Sequence, residues 1–145
     1  MLLSHIKDQF NAVLGLAPIL VDNDNSNSGV AQNGSALEIS NVAKLTILMP
    51  VNIPLVTNGE TVTIAVEIEH SDVVDSGYET LETLDSKVYT GTSEVTSFTD
   101  LIRYDVDSSG AKKYVRVVVT VTLSAAATDS CYTGVAVVKS GKDKV

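Results

Sequence analysis

His70-Ser71-Asp72 places the three residue types of a hydrolase triad in consecutive positions. A triad needs a nucleophile, a base and an orienting acid converging from separate places, whereas neighbouring side chains on an extended chain point to opposite faces. The expectation is that His70 ends a strand and Ser71-Asp72 begins a turn. Asp105-x-Asp107-x-Ser109-Gly110 has the front half of a calcium loop, but the position that must supply a bidentate carboxylate is Arg116. The same residues make a hairpin turn, DSSG, between LIRYDV and KYVRV. Asp22-x-Asp24-x-Ser26-x-Ser28 fails likewise, with Asn27 where the loop requires glycine and Asn33 where it requires Glu.

The remaining chemistry-bearing residues are scattered. Glu67 and Glu69 share the outer face of one strand, while Glu79, Glu82 and Asp85 fall in a loop-like stretch, and all read as solvated surface acids. His5 has no activated nucleophile beside it. Cys131 opens an apolar strand and reads as a small buried hydrophobe; one cysteine cannot form an internal disulfide, and with two histidines it falls short of a zinc framework. Glycine-rich phosphate loops are missing. The residues therefore predict no enzyme, no metal and no cofactor.

The elements that must carry these residues are strands. With 145 residues, 44% of them hydrophobic, the chain suffices for one domain with a core. Residues 60–70, ETVTIAVEIEH, put Val62, Ile64, Val66 and Ile68 on one face and Thr61, Thr63, Glu67 and Glu69 on the other. Residues 113–123 repeat the alternation, with Val115, Val117, Val119, Val121 and Leu123 inward. Shorter strands are expected at 37–40, 43–49, 86–90, 94–99, 101–106 and 131–138, separated by turn formers. Helical patterning is almost absent after residue 35. The expected fold is all-β: an antiparallel β-sandwich or jelly roll of about eight strands over residues 36–145.

Residues 1–35 are read as an N-terminal amphipathic arm and flexible linker. Leu2, Leu3, Ile6, Phe10, Val13 and Leu14 recur at three- and four-residue steps, and Gly15 then Pro18 supply stop signals, which predicts a short helix over about residues 3–14. A helix of that length is unstable alone, so these six apolar residues are the candidate interaction residues. The polar run DNDNSNSG at 22–29 reads as a loop.

Charge narrows the partners. A net charge of −8 argues against a phosphate backbone or an anionic membrane as the ligand, leaving a protein partner. Residues 112–145 carry six basic side chains against two acids, so that segment is +4 and the remainder −12, a layout suited to contacts between subunits. No apolar run has the signal-peptide or membrane-spanning pattern, and a protein made and used without secretion is expected.

One arrangement resembles a known family. A Val/Ile/Thr strand ends in His70-Ser71-Asp72. A loop with Gly77-Tyr78-Glu79-Thr80-Leu81 follows, then Lys113-Tyr114-Val115-Arg116-Val117 opening a long strand, a small-residue turn from Ser124 to Ser130, and a closing Val135-Ala136-Val137-Val138. Over about residues 44–139 this resembles the jelly-roll capsid cement or decoration proteins of tailed bacteriophages. The resemblance implies a structural virion protein, assembled in the host cytoplasm, that binds the capsid exterior, commonly as a homotrimer, and bridges neighbouring capsomers through contacts with the major capsid protein. A tail or head-completion protein would share such strand motifs, and a jelly roll can also serve as a carbohydrate-binding module.

Overall fold

Alternating Val and Ile on β-branched, threonine-rich segments leaves the chain one economical way to bury its apolar faces, which is to lay two sheets against each other. The computed structural model describes residues 10–141 and realises that arrangement. Its strands are β1 (Phe10–Val21), β2 (Ala31–Asn33), β3 (Leu37–Glu38), β4 (Lys44–Leu55), β5 (Thr61–Ser71), β6 (Glu79–Thr83), β7 (Lys87–Thr90), β8 (Phe98–Asp107), β9 (Tyr114–Leu123) and β10 (Ser130–Ser140). No helix occurs among the described residues.

The pairing is nested. β1 pairs with β10, β2 and β3 with β9, β4 with β8, and β5 with β6 and β7, every ladder antiparallel. Sheet A has the order β1-β10-β4-β8, and sheet B the order β2-β9-β5-β6, with β3 also on β9 and β7 also on β5. First with last, second with next to last, and alternation between sheets is the topology of a long antiparallel ribbon rolled up, the jelly roll. Because β2 with β3, and β6 with β7, each share one neighbour, the ten segments occupy eight strand positions.

The core lies between the sheets. Leu45, Ile47, Met49, Val51 and Ile53 of β4 face Val62, Ile64, Val66 and Ile68 of β5 and Val115, Val117, Val119, Val121 and Leu123 of β9 across it, all of them buried. Each such side chain contributes about 1.5–3 kcal/mol by leaving water. Gly34 is required by close approach: a Cβ there would lie 2.2 Å from the Gly15 carbonyl oxygen and 2.8 Å from that of Val117. This contact is where β1 touches sheet B, with Ser35 N donating to Gly15 O at 2.9 Å.

Three expectations are corrected. The helix over residues 3–14 is, in its described part, the beginning of β1: residues 10–14 pair with Ser140 to Ala136 of β10. β1 therefore belongs to the sandwich, although it precedes residue 36; residues 1–9 lie outside the described residues. Residues 10–14 pair in unbroken register; the register shifts of β1 come after them, between Leu14 and Leu16 and between Leu16 and Ile19. The DSSG segment is not a hairpin, because β8 and β9 lie in different sheets. It carries the chain from one sheet to the other, held by Ser108, whose N–H and Oγ donate to the carbonyls of Ala43 (3.0 Å) and Val42 (2.9 Å). Finally, Glu79 and Glu82 sit in β6 rather than in a loop, and in place of the two strands expected at 94–99 and 101–106 there is one, β8, with residues 94–97 in no strand.

Candidate functional site

The chemistry-bearing residues singled out in the sequence are committed to local structure. His70 accepts the Lys112 N–H at Nδ1 (3.2 Å), and its Nε2 lies 3.4 Å from Glu79. Ser71, buried behind it, donates to the Ser76 carbonyl and accepts the Val73 N–H at 3.0 Å, so it builds the turn after β5; Asp72 is exposed there. Asp107 accepts the Ser109 N–H (2.9 Å) and hydroxyl (2.7 Å), and these bonds hold its carboxyl below the usual carboxylate range. Asp22 accepts the Asn25 N–H and side-chain amide. Among the described residues no three His, Cys, Asp or Glu side chains group as metal ligands. Cys131 is buried in β10, and burial pushes its thiol up to about 12.

The charge layout also changes on folding. Lys112 pairs with Glu79, Arg116 with Glu69 at 2.5 Å while stacking on the Tyr78 ring at 4.1 Å, and Lys139 lies 3.4 Å from the Glu38 carbonyl. Arg116 of β9 is thereby matched by Glu69 of β5, and Lys112, just before β9, by Glu79 of β6. The outer face of sheet B is otherwise lined by Thr61, Thr63, Ala65, Glu67, Val118 and Thr120, with Val88 of β7, 58% exposed, beside Thr63, so it is a mixed face whose charges are paired.

Sheet A is different. β4 buries Leu45, Ile47, Met49, Val51 and Ile53, so its alternate residues point away from the core: Thr46, Leu48, Pro50, Asn52 and Pro54. Register carries that outward row across neighbouring strands. Leu48 lies beside Ala136 of β10, which lies beside Leu14 of β1; Pro50 lies beside Leu101 of β8; Asn52 lies beside Tyr132, which lies beside Leu20. Leu101 is 62% exposed, Leu14 59% and Tyr132 47%. Across the middle of this face runs an open groove of about 280 Å³ lined by Pro18, Pro50, Asn52, Thr99, Tyr132 and Gly134. Gly134 forms its floor, and a Cβ there would lie 3.2 Å from the Pro18 Cα, which is why the two strands can approach so closely. The apolar residues are grouped in the middle of the sheet A outer face, and the β8 side of the same face carries Arg103 and Asp105 beside Leu48 and Thr46.

Of the six candidate interaction residues, Leu2, Leu3 and Ile6 lie outside the described residues, and Phe10 begins β1. Val13 packs against the core, whereas Leu14 joins the apolar outer face. Leu48, Pro50, Leu101, Tyr132 and Ala136 were missed as surface residues. The signal was present: LTILMPVNIPL and CYTGVAVV are nearly apolar at both parities, unlike the clean alternation of β5, and apolar residues at both parities belong to a strand covered on both faces.

No family model matches the chain, and no curated protein matches it. Among solved structures it is similar to the chain of T=1 particles derived from infectious bursal virus, with TM-score 0.48 and 10% identity over 92% of this chain and 31% of that one. It is similar also to the infectious bursal disease virus Gt strain structure, with TM-score 0.46 and 9% identity over 92% of this chain and 32% of that one. A third is the CBM22-1–GH10 portion of xylanase 10B from Clostridium thermocellum complexed with xylohexaose, with TM-score 0.42 and 11% identity over 95% of this chain and 27% of that one. The chain spans about a third of the length of these viral chains. The fold assignment rests on strand pairing and not on these overlaps.

Proposed function

We propose that the protein is a structural virion component, a cement or decoration protein that binds the outside of a phage capsid and bridges neighbouring capsomers. The observation that carries this reading is the apolar group at the middle of the sheet A outer face, where Leu14, Leu48, Pro50, Leu101 and Tyr132 lie around one groove, whereas the sheet B outer face is a mixture of threonines, paired charges and Val88. The sheet A face is the docking surface, and the partner is the major capsid protein. A clamp strengthens a pressurised shell only if opening the joint must also break the clamp's own interface. A standard interface of about 1,600 Å² would supply that resistance by apolar burial without covalent bonds. Leu2, Leu3 and Ile6 are proposed to add to that contact. The resemblance to decoration proteins supports the reading and brings with it the placement on the capsid exterior.

The experiment is a rebinding assay. Shells stripped of the protein are incubated with it, pelleted, and scored for occupancy, with Tyr132→Asp as the face variant and Thr63→Asp as the control on sheet B. Loss of occupancy for Tyr132→Asp alone supports the reading. Equal occupancy of both variants, or no rebinding by the wild type, contradicts it.

A further inference from the structure

Four strand edges bound the two sheets, and three of them are interrupted. β1 carries Pro18 and two register shifts. The β2 and β3 edge and the β6 and β7 edge are each divided into short segments. β8 is not interrupted. Phe98 to Asp107 pair with Ile53 to Lys44 without a register shift, the strand contains neither proline nor glycine, and no described residue pairs with its other side. Long regular edges are normally blunted, because their unpaired N–H and C=O groups accept another strand.

We propose that the free edge of β8 pairs antiparallel with β8 of a second copy of this chain, about a two-fold axis at Tyr104, joining the two A sheets into one. The register follows from side-chain parity and charge. Outward residues of β8 are Thr99, Leu101, Arg103, Asp105 and Asp107; inward ones include Ile102, Tyr104 and Val106. A two-fold axis falling between residues would set outward residues against inward ones and is excluded by burial. An axis at Arg103 opposes two guanidinium groups, and one at Asp105 opposes two carboxylates, both unfavourable across a strand pair. An axis at Ile102 sets Arg103 against Leu101 and pairs no charges. An axis at Tyr104 sets Arg103 of each copy against Asp105 of the other and Leu101 against Asp107, and it aligns Ile102 with Val106 along the core side.

This self-complementarity selects a second copy over an unrelated strand. Arg103 and Asp105 lie 3.4 Å apart within one strand; Thr46 donates to Asp105 at 2.9 Å and Lys44 lies 3.7 Å from it, which holds the carboxylate on the outward face, while the exposed Arg103 side chain is long enough to reach the copy's Asp105. The axis runs perpendicular to the sheet, so both apolar outer faces end on the same side and double the docking surface. The pairing is two-fold, so a dimer takes the place of the trimer that the resemblance implies. It does not depend on what the outer face docks against.

Sedimentation velocity of the full chain tests the pairing. The wild type is expected to sediment with about twice the 15.3 kDa chain mass. Arg103→Asp and Asp105→Arg are each expected to weaken self-association about ten-fold or more, and the double swap to restore most of it, because the two charges then oppose each other again. Register is read separately by mixing Leu101→Cys protein with Asp107→Cys protein, which is expected to give a mixed disulfide that neither forms alone; this readout survives even if a charge variant misfolds. A wild-type monomer, a trimer, single swaps without effect, a double swap that does not recover, or no mixed disulfide overturns the proposal. Shell binding through the sheet A face is unaffected by any of these results.

Discussion

Asp129 lies beneath Thr57: both carboxylate oxygens are 3.0 Å from the Thr57 N–H, and Oδ1 accepts the Thr57 hydroxyl at 2.6 Å. Thr128 donates to the same oxygen at 3.0 Å, and Asp129 is 1% exposed. The carboxylate thus ties the turn leaving β4 to the turn entering β10, the two central strands of sheet A. Asp129→Ala removes the charge-assisted bonds to the partly buried Thr57 N–H and to the Thr57 hydroxyl, and it is expected to cost about 2–3 kcal/mol. Urea unfolding checks this. Asp129→Asn, which keeps one acceptor oxygen, should fall between the two.

Gly34 sits where β1 meets sheet B, with the Gly15 carbonyl in the space a side chain would take. Gly34→Ala must push two backbones apart, and a loss of about 1–3 kcal/mol is expected. Both obstacles are backbone carbonyl oxygens, so no side chain can rotate away. Gly29, with φ of 75° and open space, gives a contrasting site where alanine meets no neighbour and the cost is conformational alone.

Two buried groups set the alkaline limit. Burial raises the Cys131 thiol from 9.0 to about 12. Burial first, and then the hydrogen bond from its hydroxyl to Asp100 at 2.8 Å, raises Tyr89. A folded-state pKa above the unfolded value means the stabilising contribution is complete below the unfolded pKa and declines as pH rises toward the folded one. Thermal stability is therefore expected to fall progressively from about pH 9 upward. Cys131→Ala should flatten part of that slope. In the native protein Cys131 should stay unreactive toward a thiol reagent until unfolding exposes it.

The alternation of β5 and β9 could be read directly, because Val62 to Ile68 and Val115 to Leu123 each present one apolar face and the opposite faces carry Thr, Glu and Arg. β1 could not, since Val13 and Leu14 are both apolar where a half-buried strand would alternate, and the register shifts after Leu14 break the two-residue period over the rest of the strand. β6 was obscured because its residues, ETLET, are mostly exposed and have no core face to pattern. The apolar outer face of sheet A was written in β4 and β10 but required register to assemble. Nothing in the order of residues says that Leu14, Ala136 and Leu48 are lateral neighbours, because they come from three distant segments. The pairing of Lys112 with Glu79 and of Arg116 with Glu69 was hidden for the same reason.

Substitutions on the outer face of sheet A should separate stability from assembly. Leu14 and Tyr132 are exposed, so Leu14→Asp and Tyr132→Asp should each change unfolding free energy by about 0.5 kcal/mol or less. Both should nevertheless reduce shell occupancy, because a carboxylate placed in an apolar contact must be desolvated without a partner. Deleting residues 1–9, which removes Leu2, Leu3 and Ile6 and no described strand, should lower occupancy to a smaller degree.

The orientation of the bound molecule tests the account most directly. In a reconstruction of shells carrying this protein, the outer face of sheet A, with Pro50 and Tyr132 at its centre, is predicted to lie against the capsid surface, and the Glu69–Arg116 pair of sheet B to face solvent. A particle in which sheet B meets the shell while Pro50 and Tyr132 stand open to solvent contradicts it.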